Sequence, residues 1–357
     1  MKNEMRKRRV GILSMQRIDN YGSYWQARSL MSFVKNLGCE ADFIDIIPGE
    51  TVVEKKVYQR SFSFRKLLRI PAYLEQRIRG KMYQRVRERD LRCGPTLNYS
   101  SDYDSIIIGS DEVFNCAQPS PWGFSEQLFG KMDNAHIITY AASFGYTRLD
   151  FLKKNHLDAR IGEALQNVKE ISVRDKNSYG IISEITGRKP VYHLDPVLVN
   201  NRIVPKKRIG QKYVLIYSYD WRFKDEQYIE AIKRFAKKRK LKIYSVGTSQ
   251  HWCRNKYADV QRWVDYFASA EFVFTDTFHG SIMAIKFHKQ FLTVVRETNR
   301  EKLEDLLERL DLADRVSSQA DNIDEMMDKF IDYEHVESIL SNERERTMTY
   351  LRKELGE

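Results

Sequence analysis

Four short stretches pair side chains that could do chemistry with a glycine or strand end that would expose them: DNYGS (19–23), GSDEVFN (109–115), SVRD (172–175) and TDTFHGS (275–281). In the last, the apolar run EFVF gives way to the apolar helical pattern SIMAIKF, and His279 stands on the corner. A helix start presents backbone N–H groups and the positive end of the dipole, so the N–H groups of Gly280 and Ser281 are expected as donors to an anion. Gly280 adds no side chain to obstruct a ligand there. The imidazole can hold or release a proton near neutral pH. A packed histidine is the structural alternative, and packing gains little at such a corner.

Arg174 leaves an apolar strand, where its planar fork suits a carboxylate or phosphate; an internal ion pair with Asp175 or Asp195 is the alternative. Ser110 and Asp111 either cap a helix or, for Asp111, accept from a sugar hydroxyl or act as a base. Gly22 permits a tight turn before a helix start that could meet an anion, although Asn20 and Gly22 would also serve an ordinary turn. DNYGS lacks the glycine spacing of a dinucleotide fingerprint, which argues against a nicotinamide or flavin enzyme.

The elements that must position these residues alternate. VGILSM (10–15), a helix over 23–38 closed by Gly38, and EADFIDII (40–47) form a βαβ unit. SIIIGSDE (105–112), AHIITYAAS (135–143), KEISVRD (169–175) and VYHLDP (191–196) read as further strands. After the polar stretch 200–211, a second series runs through KYVLIYSYD (212–220), KLKIYSVG (240–247), EFVFTD (271–276) and FLTVV (291–295), with helices between; beyond 322 the pattern is helical. The fold class is therefore α/β, with two Rossmann-like domains facing a cleft. The domains are expected over 1–204, with a basic helical insertion at about 55–92, and over 205–357, with the helical tail.

At 357 residues, 42% hydrophobic and 12% aromatic, the chain is expected to bury two cores. The N-terminal apolar run falls short of the ~7–15 residues of a signal-peptide core. Four scattered cysteines and seven histidines show no disulfide or metal-ligand spacing, so the expectation is a reduced, cytoplasmic protein with no metal. Most of the net charge of +11 lies in residues 55–92, which hold 13 basic and 3 acidic side chains. Leu74, Ile78, Met82 and Val86 would form a buried stripe there, with Arg77, Lys81, Arg85 and Arg89 elsewhere on the helix. This segment is either a solvated helix or a footing on acidic lipid headgroups or a polyanionic acceptor, which would place the protein at the inner face of the membrane. It matches no nucleic-acid recognition motif.

DNYGSYWQ, YDSIIIGSDEVFN, ISVRD, HLDP and FTDTFHGSIMAIKF together resemble the polysaccharide pyruvyltransferase family in order and approximate spacing, from about residue 10 to 315. The resemblance implies an enzyme that moves the pyruvyl group of phosphoenolpyruvate onto two hydroxyls of a sugar, in a surface polysaccharide or its lipid-linked precursor, as a ketal with release of phosphate. It implies His279 and Arg174 as catalytic residues near the donor, and Asp111, read above as a candidate base or hydroxyl acceptor, is expected to complete the catalytic set. The resemblance also implies Asn299 and Arg300 as substrate-binding, with phosphoenolpyruvate as donor substrate and no cofactor, and Asn20, Tyr21, Gly22, Ser110, Asn115, Ser143, Gly280 and Ser281, in the stretches quoted, are expected to bind substrate with them. Phe114 departs from the tryptophan common in the family, HKQF (288–291) from its usual small-residue, lysine, proline, phenylalanine run, and the segment before GSDEVFN is particular to this chain. A nucleotide-sugar-dependent glycosyltransferase and a non-catalytic glycan-binding relative are the alternative readings. The acceptor sugar and the oligomeric state are not written in these residues.

Overall fold

A computed structural model of the chain describes residues 6–53, 70–133, 136–219, 223–296, 299–317, 320 and 322–356, with the backbone alone for 70–76. The chain forms two compact units, Met1–Pro196 with Met348–Glu357, and Val197–Thr347.

The first unit runs β1 (Arg9–Leu13), α1 (Tyr21–Asn36), β2 (Glu40–Ile44), α2 (Ile70–Val86), β3 (Ser105–Asp111), β4 (Ile137–Ala142), α3 (Leu149–Lys154), α4 (Asp158–Ala164), β5 (Val168–Glu170), β6 (Ser172–Val173), α5 (Lys176–Thr186) and β7 (Val191–Tyr192). The sheet order is β2-β1-β3-β4-β6-β7, with β5 also on β4, and every pairing is parallel. Parallel strands covered on both faces read as unbroken apolar runs, and all seven residues of β3 are buried. The run KEISVRD is split into β5 and β6. The Thr139 hydroxyl accepts from Ser172 N (2.6 Å) and donates to Ser172 O (2.8 Å), so a side chain stands where a ladder partner would and the register shifts.

The second unit follows the short helix α6 (Pro196–Val199). It runs β8 (Tyr213–Tyr217), α7 (Glu226–Lys238), β9 (Lys242–Val246), β10 (Arg254–Lys256), α8 (Val260–Ser269), β11 (Phe272–Thr275), α9 (Phe278–Lys286), β12 (Gln290–Val294), α10 (Arg300–Glu308), β13 (Val316–Ser317), α11 (Ile323–Asp328) and α12 (Tyr333–Leu355). Its sheet, β10-β9-β8-β11-β12-β13, is parallel throughout. The units divide at 196/197, whereas the sequence pattern changes near 205. Lys286 Nζ, at the end of α9, donates to Leu198 O (3.3 Å) and Asn200 O (2.5 Å), which ties residues just before 205 to the second unit. The last ten residues go with the first unit, where Tyr350 Oη donates to Thr139 O (2.8 Å).

In α2 the buried face is Met82, Tyr83 and Val86, with the Tyr83 ring 5.7 Å from Tyr21 at the start of α1. Ile78, expected in that stripe, is instead 47% exposed. Residues 55–69 of the basic segment, and the side chain of Leu74, lie outside the described residues. Among the described residues no helix is long and apolar enough to cross a membrane.

Candidate functional site

In an open parallel sheet, ligands bind beyond the carboxyl ends of the strands where the strand order reverses. In the first unit this point lies between β1 and β3, and in the second between β8 and β11. Each holds part of the expected set.

In the first unit Asn20 caps α1: its Oδ1 accepts from Gly22 N (2.7 Å) and Ser23 N (3.4 Å), so DNYGS includes the ordinary capping turn. Ser23 Oγ then donates to Asp111 Oδ2 (2.6 Å), joining the turn after β1 to the end of β3. Asp111 Oδ1 accepts from Glu112 N (2.8 Å). Asp111 has φ +83°, a conformation that a non-glycine residue adopts at a cost, and these two bonds hold the carboxylate in place. Beside it the buried Ser110 Oγ finds no hydrogen-bond partner among the described residues.

Arg174 reaches the same corner from β6 and is almost wholly buried. Its Nη1 donates to Asp195 Oδ2 (2.9 Å), which also accepts from Gln26 Nε2 (2.6 Å), and its Nη2 lies 3.9 Å from Asp111 Oδ1. Burial works against the guanidinium charge. The carboxylates of Asp195, Asp111, Glu112 and Asp175 outweigh it and hold the arginine above its ordinary pKa. Of the two internal partners weighed for Arg174, Asp195 is the direct one. Asp175 caps α5 through Ser178 N (2.8 Å) and accepts from Ser143 Oγ (2.6 Å).

Other candidates in this unit are engaged in support. Ser143 is buried, and its Oγ also accepts from Gly145 N (2.9 Å). Asn115 donates to Glu112 Oε2 (2.8 Å) and accepts from Thr147 Oγ1 (2.8 Å). Tyr21 is buried against Tyr83.

In the second unit β11 ends at Thr275, whose hydroxyl donates across to Tyr217 O on β8 (2.6 Å). Asp276 follows, buried, and Thr277 caps α9. His279 therefore lies in the first helical turn, half-buried, with the Phe278 ring edge-on at 5.5 Å. The two N–H groups expected as free donors are both in use. Gly280 N donates to Thr277 Oγ1 (3.0 Å) and Ser281 N to Thr277 O (3.2 Å), because the cap and the first helical bond claim them. The Ser281 hydroxyl is bound to Thr277 O (3.2 Å) and to Thr293 Oγ1 (2.7 Å).

Nor is Gly280 open to a ligand. A Cβ there would stand 2.0 Å from Thr275 Oγ1 and 2.7 Å from Thr277 Oγ1, so the glycine lets the helix start sit down on β11. Alanine in place of glycine normally favours a helix by ~1 kcal/mol. Gly280→Ala should instead destabilise the protein by about 2 kcal/mol or more in urea unfolding, because the Thr275 hydroxyl cannot yield without leaving Tyr217 O. An unchanged or higher midpoint would contradict this packing.

Asn299 and Arg300 separate in role. Asn299 Nδ2 donates to Asp276 O (2.6 Å) and its Oδ1 accepts from Arg296 N (2.8 Å), binding the β12 exit to the β11 exit. Arg300 is half-exposed and pairs with Glu304 one turn on (2.9 Å). The sequence pattern left out Arg296, whose Nε lies 3.1 Å from Asp276 Oδ2 and whose Nη2 donates to Asp276 O (3.4 Å). It also left out Gln26 and Asp276, and considered Asp195 only as an internal partner of Arg174. Arg296 follows an apolar strand as Arg174 does, so the same rule would have found it. Among the described residues no group of three or more His, Cys, Asp or Glu side chains could hold a metal ion.

The family model for polysaccharide pyruvyl transferase matches residues 20–298, which takes in both corners. The chain belongs to this family. No curated protein matches it by sequence. Among solved structures, it is similar to a Listeria monocytogenes protein provisionally assigned as a UDP-N-acetylglucosamine 2-epimerase, with 11% identity over 98% of this chain and 97% of that one and a TM-score of 0.52. It is also similar to the UDP-GlcNAc 2-epimerase of Neisseria meningitidis bound to UDP-GlcNAc, with 11% identity over 97% and 99% and a TM-score of 0.51. At such identity these likenesses speak for fold alone: two Rossmann-like units of the GT-B-like class. As a family member the chain is a transferase acting on polysaccharide.

Proposed function

We propose that this pyruvyltransferase-family chain takes phosphoenolpyruvate as donor and sets its pyruvyl group, as a ketal, on two hydroxyls of a sugar in a surface polysaccharide or its lipid-linked precursor. The single observation that carries this reading is His279, half-buried in the first turn of α9 within a chain of this family. The donor presents a phosphate, a carboxylate and an enol carbon. Addition begins with a proton delivered to the methylene, which leaves cationic character on the neighbouring carbon. One sugar hydroxyl bonds to that carbon and gives up its proton; the second then takes the place of the phosphate, which departs with the remaining proton. The net change converts one enol phosphate and two hydroxyls into one methyl-bearing ketal and inorganic phosphate.

His279 has the chemistry to deliver the first proton or to bond the phosphate. Arg174 supplies a permanent guanidinium for the carboxylate or phosphate. Asp111, with Asn20, is assigned to the acceptor hydroxyls, since a carboxylate both orients a hydroxyl and receives its proton. Its bond to Ser23 Oγ shows a hydroxyl already accepted at Oδ2.

Calorimetry with phosphoenolpyruvate, UDP-sugars and GDP-sugars separates this reading from a nucleotide-sugar glycosyltransferase. Binding of phosphoenolpyruvate alone is expected. Binding of a nucleotide sugar in its place would overturn the proposal, and no binding of any donor would favour a glycan-binding relative.

A further inference from the structure

The outward face of α2 has no role in the site, and its composition is unusual. Arg77, Lys81 and Arg85 recur one helical turn apart and are exposed, and among the described residues none has a carboxylate partner. Three like charges on one ridge repel one another at a cost that an intramolecular partner would normally relieve. Glu88, just past the end of α2 and the one acid on that side among the described side chains, accepts from Gln84 Nε2 (2.9 Å). The other side of the helix is firmly anchored by buried Met82, Tyr83 and Val86, and just beyond its end Arg87 pairs with Asp19. The ridge is thus held outward by a packed base.

Ile78 decides which polyanion fits. At 100° per residue it falls about 20° from Arg85 and about 40° from Met82, at the border between the charged ridge and the buried face, and it is 47% exposed. A soluble polyanion offers an isoleucine nothing. A bilayer offers phosphates to the cations and, a few ångströms deeper, acyl chains to the apolar side chain.

We propose that this ridge, Arg77, Ile78, Lys81 and Arg85, is a docking surface for an anionic phospholipid bilayer. The inference goes beyond the proposed reaction and does not depend on the donor. Each basic residue near an anionic surface changes partitioning about five-fold, so the three together account for on the order of 100-fold.

The test is co-sedimentation of the full chain with phosphatidylglycerol–phosphatidylcholine vesicles, against phosphatidylcholine alone, at low and at physiological ionic strength. Binding is expected only to the anionic vesicles and should weaken as salt screens the contact. The triple variant Arg77→Glu, Lys81→Glu, Arg85→Glu should lose at least ~100-fold in vesicle binding with an unchanged melting temperature, since none of the three is buried. Ile78→Ser keeps every charge. It should bind anionic vesicles about five-fold more weakly while eluting from a heparin column at the wild-type salt concentration. No vesicle binding at low salt, or undiminished binding by the triple variant, would overturn the proposal. So would an Ile78→Ser variant indistinguishable from wild type on vesicles, which would leave a soluble polyanion as the partner.

Discussion

Replacing His279 with alanine is expected to lower turnover by ~10²-fold or more while leaving the fold intact, because a positioned general acid contributes on that scale. The fold should survive because the imidazole is half-buried at a helix start whose order comes from other groups. Thr277 caps α9, Thr275 locks to Tyr217, and Asn299 holds the Asp276 carbonyl. The comparison variant is His279→Gln, which keeps a hydrogen-bond donor but no titrating group. If His279 delivers the proton, both variants lose turnover alike. If it only contacts the phosphate, His279→Gln recovers much of kcat and the damage appears in KM. Near-wild-type kinetics from His279→Ala would remove the histidine from the mechanism.

Arg174→Ala should be more damaging to the molecule as a whole. Asp195 is buried and loses the guanidinium that faces its charge, and Asp111 loses the cation 3.9 Å from it. An uncompensated buried carboxylate costs ~3–5 kcal/mol, so the urea midpoint should fall sharply as activity disappears. That result alone does not tell a structural arginine from one that grips the donor. The double variant Arg174→Met, Asp195→Asn removes both charges and should recover most of the lost stability. If Arg174 meets the donor, the stabilised double variant still shows a KM for phosphoenolpyruvate raised at least tenfold. Recovery of activity with stability would make Arg174 an internal strut.

The fold was legible where the physics is local and repetitive. β3 carries the apolar run Ile106–Ile108 and β8 reads YVLIY because parallel strands are buried on both faces, and each leads into the polar residues that a carboxyl end carries. β10 and β13 escaped notice: RNK is an exposed polar edge strand and VS spans two residues, so neither has a period to read. Ile78 was misplaced because spacing of four suits a stripe, whereas α2 settled on Met82, Tyr83 and Val86 against α1.

At the candidate site, the strand–turn–helix that presents His279 was plain in EFVFTDTFHGSIM, but the fate of the neighbouring amides was not. Thr277 as cap residue was there to be read two positions before the histidine. The choice of Asp195 over Asp175 as Arg174's partner was beyond local pattern. It depends on β7 delivering Asp195 alongside Arg174 at the end of β6, and on Gln26 arriving from α1.

One incubation tests both phosphoenolpyruvate as the donor and a ketal as the product. The full chain is supplied with phosphoenolpyruvate and a panel of free and lipid-linked oligosaccharides, and phosphate release is followed alongside the mass of each acceptor. The predicted result is one phosphate released for each acceptor that gains one pyruvyl group, with both signals abolished in His279→Ala. Phosphate release with no change in any acceptor, or an acceptor that gains a sugar from a nucleotide-sugar donor instead, would contradict it.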